Sequence, residues 1–150
     1  MHLMITTKCH NKCKFCCNNF YDLNKIDIAT ENDFPSINTL CITGKKSLLF
    51  NAKDIDNFVT DIKQRYQNIK HVYIYTTGYE LYNFLSNISL NTQISGITLS
   101  PKTRNDWRDI AIAANIKYLN GFEKIGILLD KFSNKSNQIY IFPEQKYLFD

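Results

Sequence analysis

Glycine and proline are scarce in this sequence of 150 residues, which contains 5 Gly and 3 Pro. No Gly/Ser-rich linker or run of like charge divides the chain, so we expect a single domain over residues 1–150. No apolar run approaches the roughly 20 residues that a membrane-spanning helix needs. The first residues, Met1–Ile5, also lack the basic region and long apolar stretch of a secretion signal. We therefore expect no membrane association and a cytoplasmic location.

The pattern of a disulfide framework is also missing, because the cysteines number 5 and are unevenly distributed. Four of them are crowded between residues 9 and 17, at positions 9, 13, 16 and 17. Thiols stay reduced in the cytoplasm, where such a cluster is more typical of a metal site than of disulfides. The fifth, Cys41, lies in an apolar run and is predicted to be a buried strand residue.

Neither sign of charge is in strong excess, because the sequence has 18 Lys and Arg and 14 Asp and Glu, for a net charge of +4. The lysines are scattered among Asn, Asp and Glu, so the composition does not indicate a nucleic-acid partner. The composition is 44% hydrophobic, with 10 Phe and 9 Tyr. It is typical of a globular domain with a sizeable core.

Short β-rich runs alternate with segments of helical period along the whole chain. Strands are predicted at residues 2–7, 39–43, 71–75, 96–99, 117–119 and 138–142. Helices are predicted at residues 52–66, from after residue 78 to about 85, near 105–115, and at 122–132. This alternation implies parallel strands joined by right-handed crossovers. The predicted fold class is α/β, an open partial (β/α)6 barrel.

Polar and small residues follow several predicted strands, at the points where the strands end. They are the cysteine cluster, Gly44, Thr76–Gly78 and Ser100–Lys102. In parallel α/β sheets, ligands bind at the carboxyl ends of the strands. We therefore expect these segments to form one site.

The cysteine spacing is Cys9-x3-Cys13-x2-Cys16. Iron–sulfur clusters are held by thiolates, normally one per iron, so three thiolates leave one iron of a [4Fe–4S] cluster with an open position. A structural zinc is the alternative, with Cys17, His10 or His2 as fourth ligand. Zinc ligands usually come as two separated pairs, and no second pair is present here.

This loop resembles the signature of the radical S-adenosylmethionine (SAM) superfamily, a CxxxCxxC loop that follows the first strand. Phe15 matches the aromatic residue that usually precedes the third cysteine. The resemblance implies that Cys9, Cys13 and Cys16 bind a [4Fe–4S] cluster whose open iron chelates SAM. It further implies reductive cleavage of SAM to a 5′-deoxyadenosyl radical that abstracts hydrogen from a substrate. An electron donor of the flavodoxin or ferredoxin type is implied as a partner.

Later segments resemble further landmarks of that superfamily. Gly44 matches the first position of the Gly-Gly-Glu-Pro turn after the second strand, whereas Lys45 and Lys46 replace its second Gly and its Glu. A lysine ammonium cannot accept a hydrogen bond from the SAM amino group, and it would repel a cationic ligand. Thr76-Thr77-Gly78 is similar to the Thr-Asn-Gly that closes the third strand, although Thr–Gly is also ordinary turn chemistry.

The Ser100-Pro101-Lys102 segment resembles the 7-carboxy-7-deazaguanine synthase branch, in which it helps to bind the SAM carboxylate or ribose. A hydroxyl and an ammonium group suit a carboxylate ligand. The short length and simple barrel also resemble the anaerobic ribonucleotide reductase activases. The resemblance implies Gly44, Thr76, Thr77, Ser100 and Lys102 as SAM contacts. It also implies a small-molecule substrate of the nucleobase or deazapurine type.

Three functions follow from these observations. The first is a radical SAM oxidoreductase or activase. The second is an iron–sulfur accessory subunit that has lost SAM cleavage, which Lys45 and Lys46 favour. The third is a zinc-bearing interaction module, for which no nucleic-acid-binding signature gives support. An open barrel also leaves a lateral gap that an oligomer, a partner or a large substrate would close. Trp107 is predicted to serve packing rather than substrate stacking.

Overall fold

The computed structural model describes residues 1–5, 25–43, 51–116 and 118–132, together with the backbone of residue 133 and of residues 139–141. Within these ranges, every helix is too short or too polar to cross a bilayer.

A parallel β-sheet occupies the centre of the molecule. Its strands in the described part of the chain are β1 (His2–Met4), β2 (Thr39–Thr43), β3 (His71–Thr76), β4 (Gly96–Leu99) and β5 (Ile139–Ile141). They lie side by side in chain order, and every neighbouring pair is parallel. The predicted parallel α/β architecture is confirmed, and all the described strands end at one edge, which we call the carboxyl edge. The opposite edge is the amino edge.

Helices lie in the described parts of the connections between strands. The described helices are a short 3₁₀ helix (Glu31–Ser36), α1 (Ala52–Arg65), α2 (Leu81–Asn87), α3 (Arg104–Ile116) and α4 (Glu123–Ser133). The first turn of α1 is capped by Asn51, whose side chain accepts a hydrogen bond from the backbone N–H of Lys53. This bond satisfies one of the N–H groups that a helix start leaves without an intrahelical partner.

The hydrophobic core lies between one face of the sheet and the helices. Alternate residues of the three central strands point into it and are at most 1% exposed: Leu40, Ile42, Val72, Ile74, Ile97 and Leu99. The helices contribute apolar residues at helical spacing, among them Ile55, Val59 and Ile62 of α1 and Ile125, Leu128 and Phe132 of α4. Every second residue of the central strands and the apolar residues at helical spacing therefore pack into one core.

The strand predicted at residues 117–119 is wrong, and the described sheet has five strands where six were expected. The backbone N–H of Tyr118 donates to Asn115 O and that of Leu119 to Ile116 O, which are turn bonds at the end of α3. Tyr118 and Leu119 are 79% and 58% exposed. Burial in the core therefore does not stabilise an extended conformation of these two residues. The chain instead turns through Gly121, at φ 90°, into α4. Two helices consequently separate β4 from β5.

Candidate functional site

The carboxyl edge brings the ends of β3 and β4 into direct contact. Thr76 pairs with Leu99 across the two strands, and the backbone N–H of Ser100 donates to Thr76 O at 2.8 Å. At the same edge, the backbone N–H of Ile5 donates to Thr43 O at 2.9 Å, so β1 and β2 also end together. The chain then leaves β1 for the segment that contains the cysteines.

The loop after β4 carries a hydroxyl–ammonium pair. Lys102 Nζ donates to Ser100 Oγ at 2.8 Å, and both side chains are partly exposed, whereas Pro101 between them is buried. A cation beside a hydroxyl donor is a suitable arrangement for a carboxylate ligand. The two residues predicted from the sequence to act together are therefore held together.

Asp106 fixes this loop from the first turn of α3. Its carboxylate is 0% exposed, and Oδ2 accepts the backbone N–H groups of Lys102 at 2.8 Å and Thr103 at 3.0 Å. The N–H of Asp106 in turn donates to Thr103 Oγ1, which completes a reciprocal cap of the helix. Oδ1 accepts the hydroxyl of Thr77 at 3.2 Å, so one carboxylate joins the loops after β3 and β4.

Asp109, one turn later in α3, holds the far end of the loop after β3. Its side chain is 5% exposed, and Oδ2 accepts the backbone N–H of Glu80 at 2.7 Å. Glu80 adopts the left-handed conformation, at φ 56°, which is unusual for a residue with a Cβ. Arg108 Nε lies 3.4 Å from Asp109 Oδ1 and offsets the buried charge.

Gly78 allows this loop to pass close to α3. Its φ is 93°, and a Cβ at this position would lie 2.6 Å from Ile110 Cγ1 and 2.7 Å from Ile110 Cδ1. Only glycine satisfies both the conformation and the close contact. The two loops and α3 therefore form one supported unit at the carboxyl edge.

The positioning residues Asp106 and Asp109 were missed in the sequence interpretation. The Thr103-x-x-Asp106 spacing before an apolar helix is a capping-box signal that would have identified the first of them. Asp109 has no comparable local signal, because its partner Glu80 is distant in sequence.

The structure places the predicted site residues Thr76, Thr77, Ser100 and Lys102 together. Both threonine hydroxyls take part in the loop itself: Thr76 Oγ1 accepts from Gly78 N, and Thr77 Oγ1 donates to Asp106. The other predicted residues, Cys9, Cys13, Cys16 and Gly44, lie outside the described residues, as do Lys45 and Lys46. The described part of the chain contains no group of three residues suited to a metal ion.

The sheet face opposite the helical core carries aromatic, thiol and hydroxyl groups. The register aligns His2, Cys41 and Tyr73 in one row, and Tyr75 with Thr98 in the next. His2 and Tyr75 contact edge to face, with ring centroids 5.6 Å apart. Burial, followed by the neighbouring Cys41, raises the pKa of the Tyr75 phenol above its usual 10.0. Cys41 is buried in β2, as predicted.

Trp107 follows Asp106 in α3 and is partly buried. Its indole Nε1 is buried and has no hydrogen-bond partner in the residues that the structure describes.

Two hollows of the described structure lie at the amino edge, away from these loops. One, of about 470 Å³, is lined by Met1 and residues 35–39 with Asn68, near the starts of β1 and β2. The other, of about 460 Å³, lies beside α1 and the starts of β3 and β4.

Comparison of the chain with models of protein families, with curated proteins and with solved structures gave no match.

Proposed function

We propose that this chain is a small radical SAM enzyme in which Cys9, Cys13 and Cys16 hold a [4Fe–4S] cluster. The observation that carries the proposal is the Cys-x3-Cys-x2-Cys spacing directly after the first strand. Thiolates are the ligands that iron–sulfur clusters require, and three of them leave one iron free for a further ligand. The proposal requires a reducing compartment such as the cytoplasm.

The polar groups of the carboxyl edge suit the amino-acid part of SAM. Lys102 Nζ and Ser100 Oγ, 2.8 Å apart, offer a cation and a hydroxyl donor to its carboxylate. When bound, the cluster and SAM would supply a 5′-deoxyadenosyl radical for hydrogen abstraction. The protein would orient the carboxylate and keep Lys102 in place through Asp106, which binds the Lys102 backbone.

The sheet face that bears His2, Tyr73 and Tyr75 would receive the substrate. Aromatic rings stack on planar ligands, which supports a small molecule of the nucleobase or deazapurine type. Thr98, 4% exposed beside Tyr75, adds a hydroxyl to this face. Electrons would come from a donor of the flavodoxin or ferredoxin type.

The strand order supports an open partial barrel as the finer architecture. In doubly wound sheets the strand order reverses at a switch point, whereas successive strands of a (β/α) barrel are neighbours. The described strands follow the second pattern, β1-β2-β3-β4-β5.

A second candidate is an iron–sulfur accessory subunit without SAM cleavage. Lys45 and Lys46 favour it. Lys46 replaces the Glu that accepts a hydrogen bond from the SAM amino group in the superfamily that the chain resembles, and Lys45 adds a second positive charge beside it.

SAM binding to the anaerobically reconstituted protein tests the proposal and separates the candidates. We expect Lys102→Gln to weaken SAM binding in calorimetry by about tenfold, because one charge-assisted hydrogen bond is lost. Lys124→Gln is the matched control, since Lys124 Nζ also donates to a protein oxygen, Ser86 O at 2.9 Å, but on α4. Equal SAM affinity in the two variants would contradict the site. No SAM binding by the parent protein at full iron content would favour the accessory subunit.

A further inference from the structure

A polar hollow lies at the amino edge of the sheet, whereas the candidate site lies at the carboxyl edge. Its volume is about 460 Å³, within the range of small-molecule pockets. The last turns of α1 and the residues that lead into β3 and β4 form its wall. Its lining residues are Thr60, Lys63, Gln64, Gln67, Ile69, Lys70 and Gln93.

Two lysines, Lys63 and Lys70, line this hollow, and a third, Lys131, contacts the residue before its lining residue Gln93. Lys63 Nζ lies 3.4 Å from Gln93 O, and Lys131 Nζ of α4 lies 2.6 Å from Thr92 O, the preceding carbonyl. Adjacent residues, Thr92 and Gln93, therefore supply the two carbonyl groups that these ammonium groups contact.

The electrostatics of Lys63 show that these cations affect one another. Burial lowers the pKa of Lys63 below 10.5, and the charges of Lys131 and Lys70 lower it further. No carboxylate is among the causes of this shift in the described structure. Arg65, two residues later in α1, differs sharply, because it forms ion pairs with both Glu31 and Asp61. The lysines are thus gathered at an energetic cost that a bound anion would relieve.

We propose that this hollow, the lysine hollow, binds the diphosphate group of a small phosphorylated ligand. Lys63 and Lys70 line the hollow, and Lys131 is close enough to act on the charge of Lys63. Such a concentration of positive charge suits a multiply charged anion better than a singly charged carboxylate, and phosphate oxygens accept several charge-assisted hydrogen bonds. Gln64, Gln67 and Gln93 line the same space, and a glutamine side-chain amide is a neutral hydrogen-bond donor. This site is independent of the cysteine cluster and of SAM.

Calorimetric titration with inorganic pyrophosphate at low ionic strength tests the proposal. We expect saturable binding that Lys63→Gln and Lys131→Gln each weaken by about tenfold, through loss of one charge-assisted hydrogen bond. Lys53→Gln is the control, since Lys53 is exposed on the same helix but does not line the hollow. Its pyrophosphate affinity should equal that of the parent protein. A parallel titration with adenosine diphosphate separates a nucleotide-borne diphosphate, which would bind more tightly, from the free anion.

Thermal unfolding gives a second readout. Pyrophosphate should raise the melting temperature of the parent protein, because a ligand of the native state stabilises it by mass action. Without ligand, Lys63→Gln should melt at or above the temperature of the parent, since it removes repulsion. Absence of pyrophosphate binding, or an equal loss of affinity in the Lys53→Gln protein, would overturn the proposal.

Discussion

A comparison of alanine substitutions at Gly78 and Gly121 separates the cost of backbone strain from the cost of steric overlap. Their φ angles are 93° and 90°, but a Cβ at Gly121 would meet no atom within 4 Å, whereas one at Gly78 would overlap Ile110. We expect Gly121→Ala to lower the free energy of unfolding by about 1–2 kcal/mol, the cost of a left-handed alanine. Gly78→Ala should cost about 1–3 kcal/mol more, because the core against α3 is overpacked.

Urea unfolding followed by circular dichroism measures both alanine variants under the same conditions. Equal destabilisation by the two substitutions would show that Ile110 moves aside freely. The loop after β3 would then not be fixed against α3.

Asp106 is the residue on which the geometry of the candidate site most depends. Replacing it with alanine removes the carboxylate half of the reciprocal cap of α3 and leaves the partly buried N–H groups of Lys102 and Thr103 without their acceptor. We expect a loss of about 3 kcal/mol in the free energy of unfolding. Asp33 is the matched control, because with Thr30 it forms the same capping box in an exposed position.

The Asp33→Ala variant should lose about 1 kcal/mol or less, since water satisfies the exposed N–H groups. Similar losses in the two variants, measured by urea unfolding, would mean that burial adds nothing at Asp106.

Individual residues were predictable where local chemistry decides their role. Cys41 is buried in a strand as its apolar neighbours predict. Asp109 was not predictable, because its role depends on a backbone N–H 29 residues earlier in the chain. The grouping of Lys63, Lys70 and Lys131 was not predictable either, because these residues come from three different segments of the chain.

At the scale of elements, the period of apolar residues predicts most of the fold. The strands at 39–43 and 96–99 have the predicted bounds, and α1 (Ala52–Arg65) ends one residue before the prediction. The error at Tyr118 and Leu119 arose because a short β-prone run carries no period. Turn bonds to the end of α3 and a positive φ at Gly121 decide the conformation there. The 3₁₀ helix Glu31–Ser36, which contains Pro35, was not predicted.

The N-terminal cap of α1 gives a prediction at this scale. Asn51→Ala removes the acceptor for the N–H of Lys53, so we expect the free energy of unfolding to fall by about 1 kcal/mol. Asn57→Ala, at an exposed position inside the same helix, should be neutral or slightly stabilising because alanine has the higher helix propensity. Thermal unfolding compares the two variants, and an equal loss in both would argue against the cap.

Two groups of polar residues lie at opposite edges of the sheet. The Ser100–Lys102 pair and its support by Asp106 lie at the carboxyl edge, where parallel α/β sheets usually bind ligands. The lysine hollow lies at the amino edge. The alternation of strands and helices made the grouping of Thr76, Thr77, Ser100 and Lys102 predictable from sequence, because parallel strands end at the same edge. Nothing in the local sequence marks the lysine hollow.

The most direct test of the central claim is anaerobic reconstitution with iron and sulfide, followed by dithionite and SAM and an assay for 5′-deoxyadenosine. We expect about four irons per chain and 5′-deoxyadenosine formation. Cys13→Ala should lose both, whereas Cys17→Ala and Cys41→Ala, outside the Cys-x3-Cys-x2-Cys spacing, should keep them. Zinc in place of iron, or an unchanged iron content in the Cys13→Ala protein, would contradict the account.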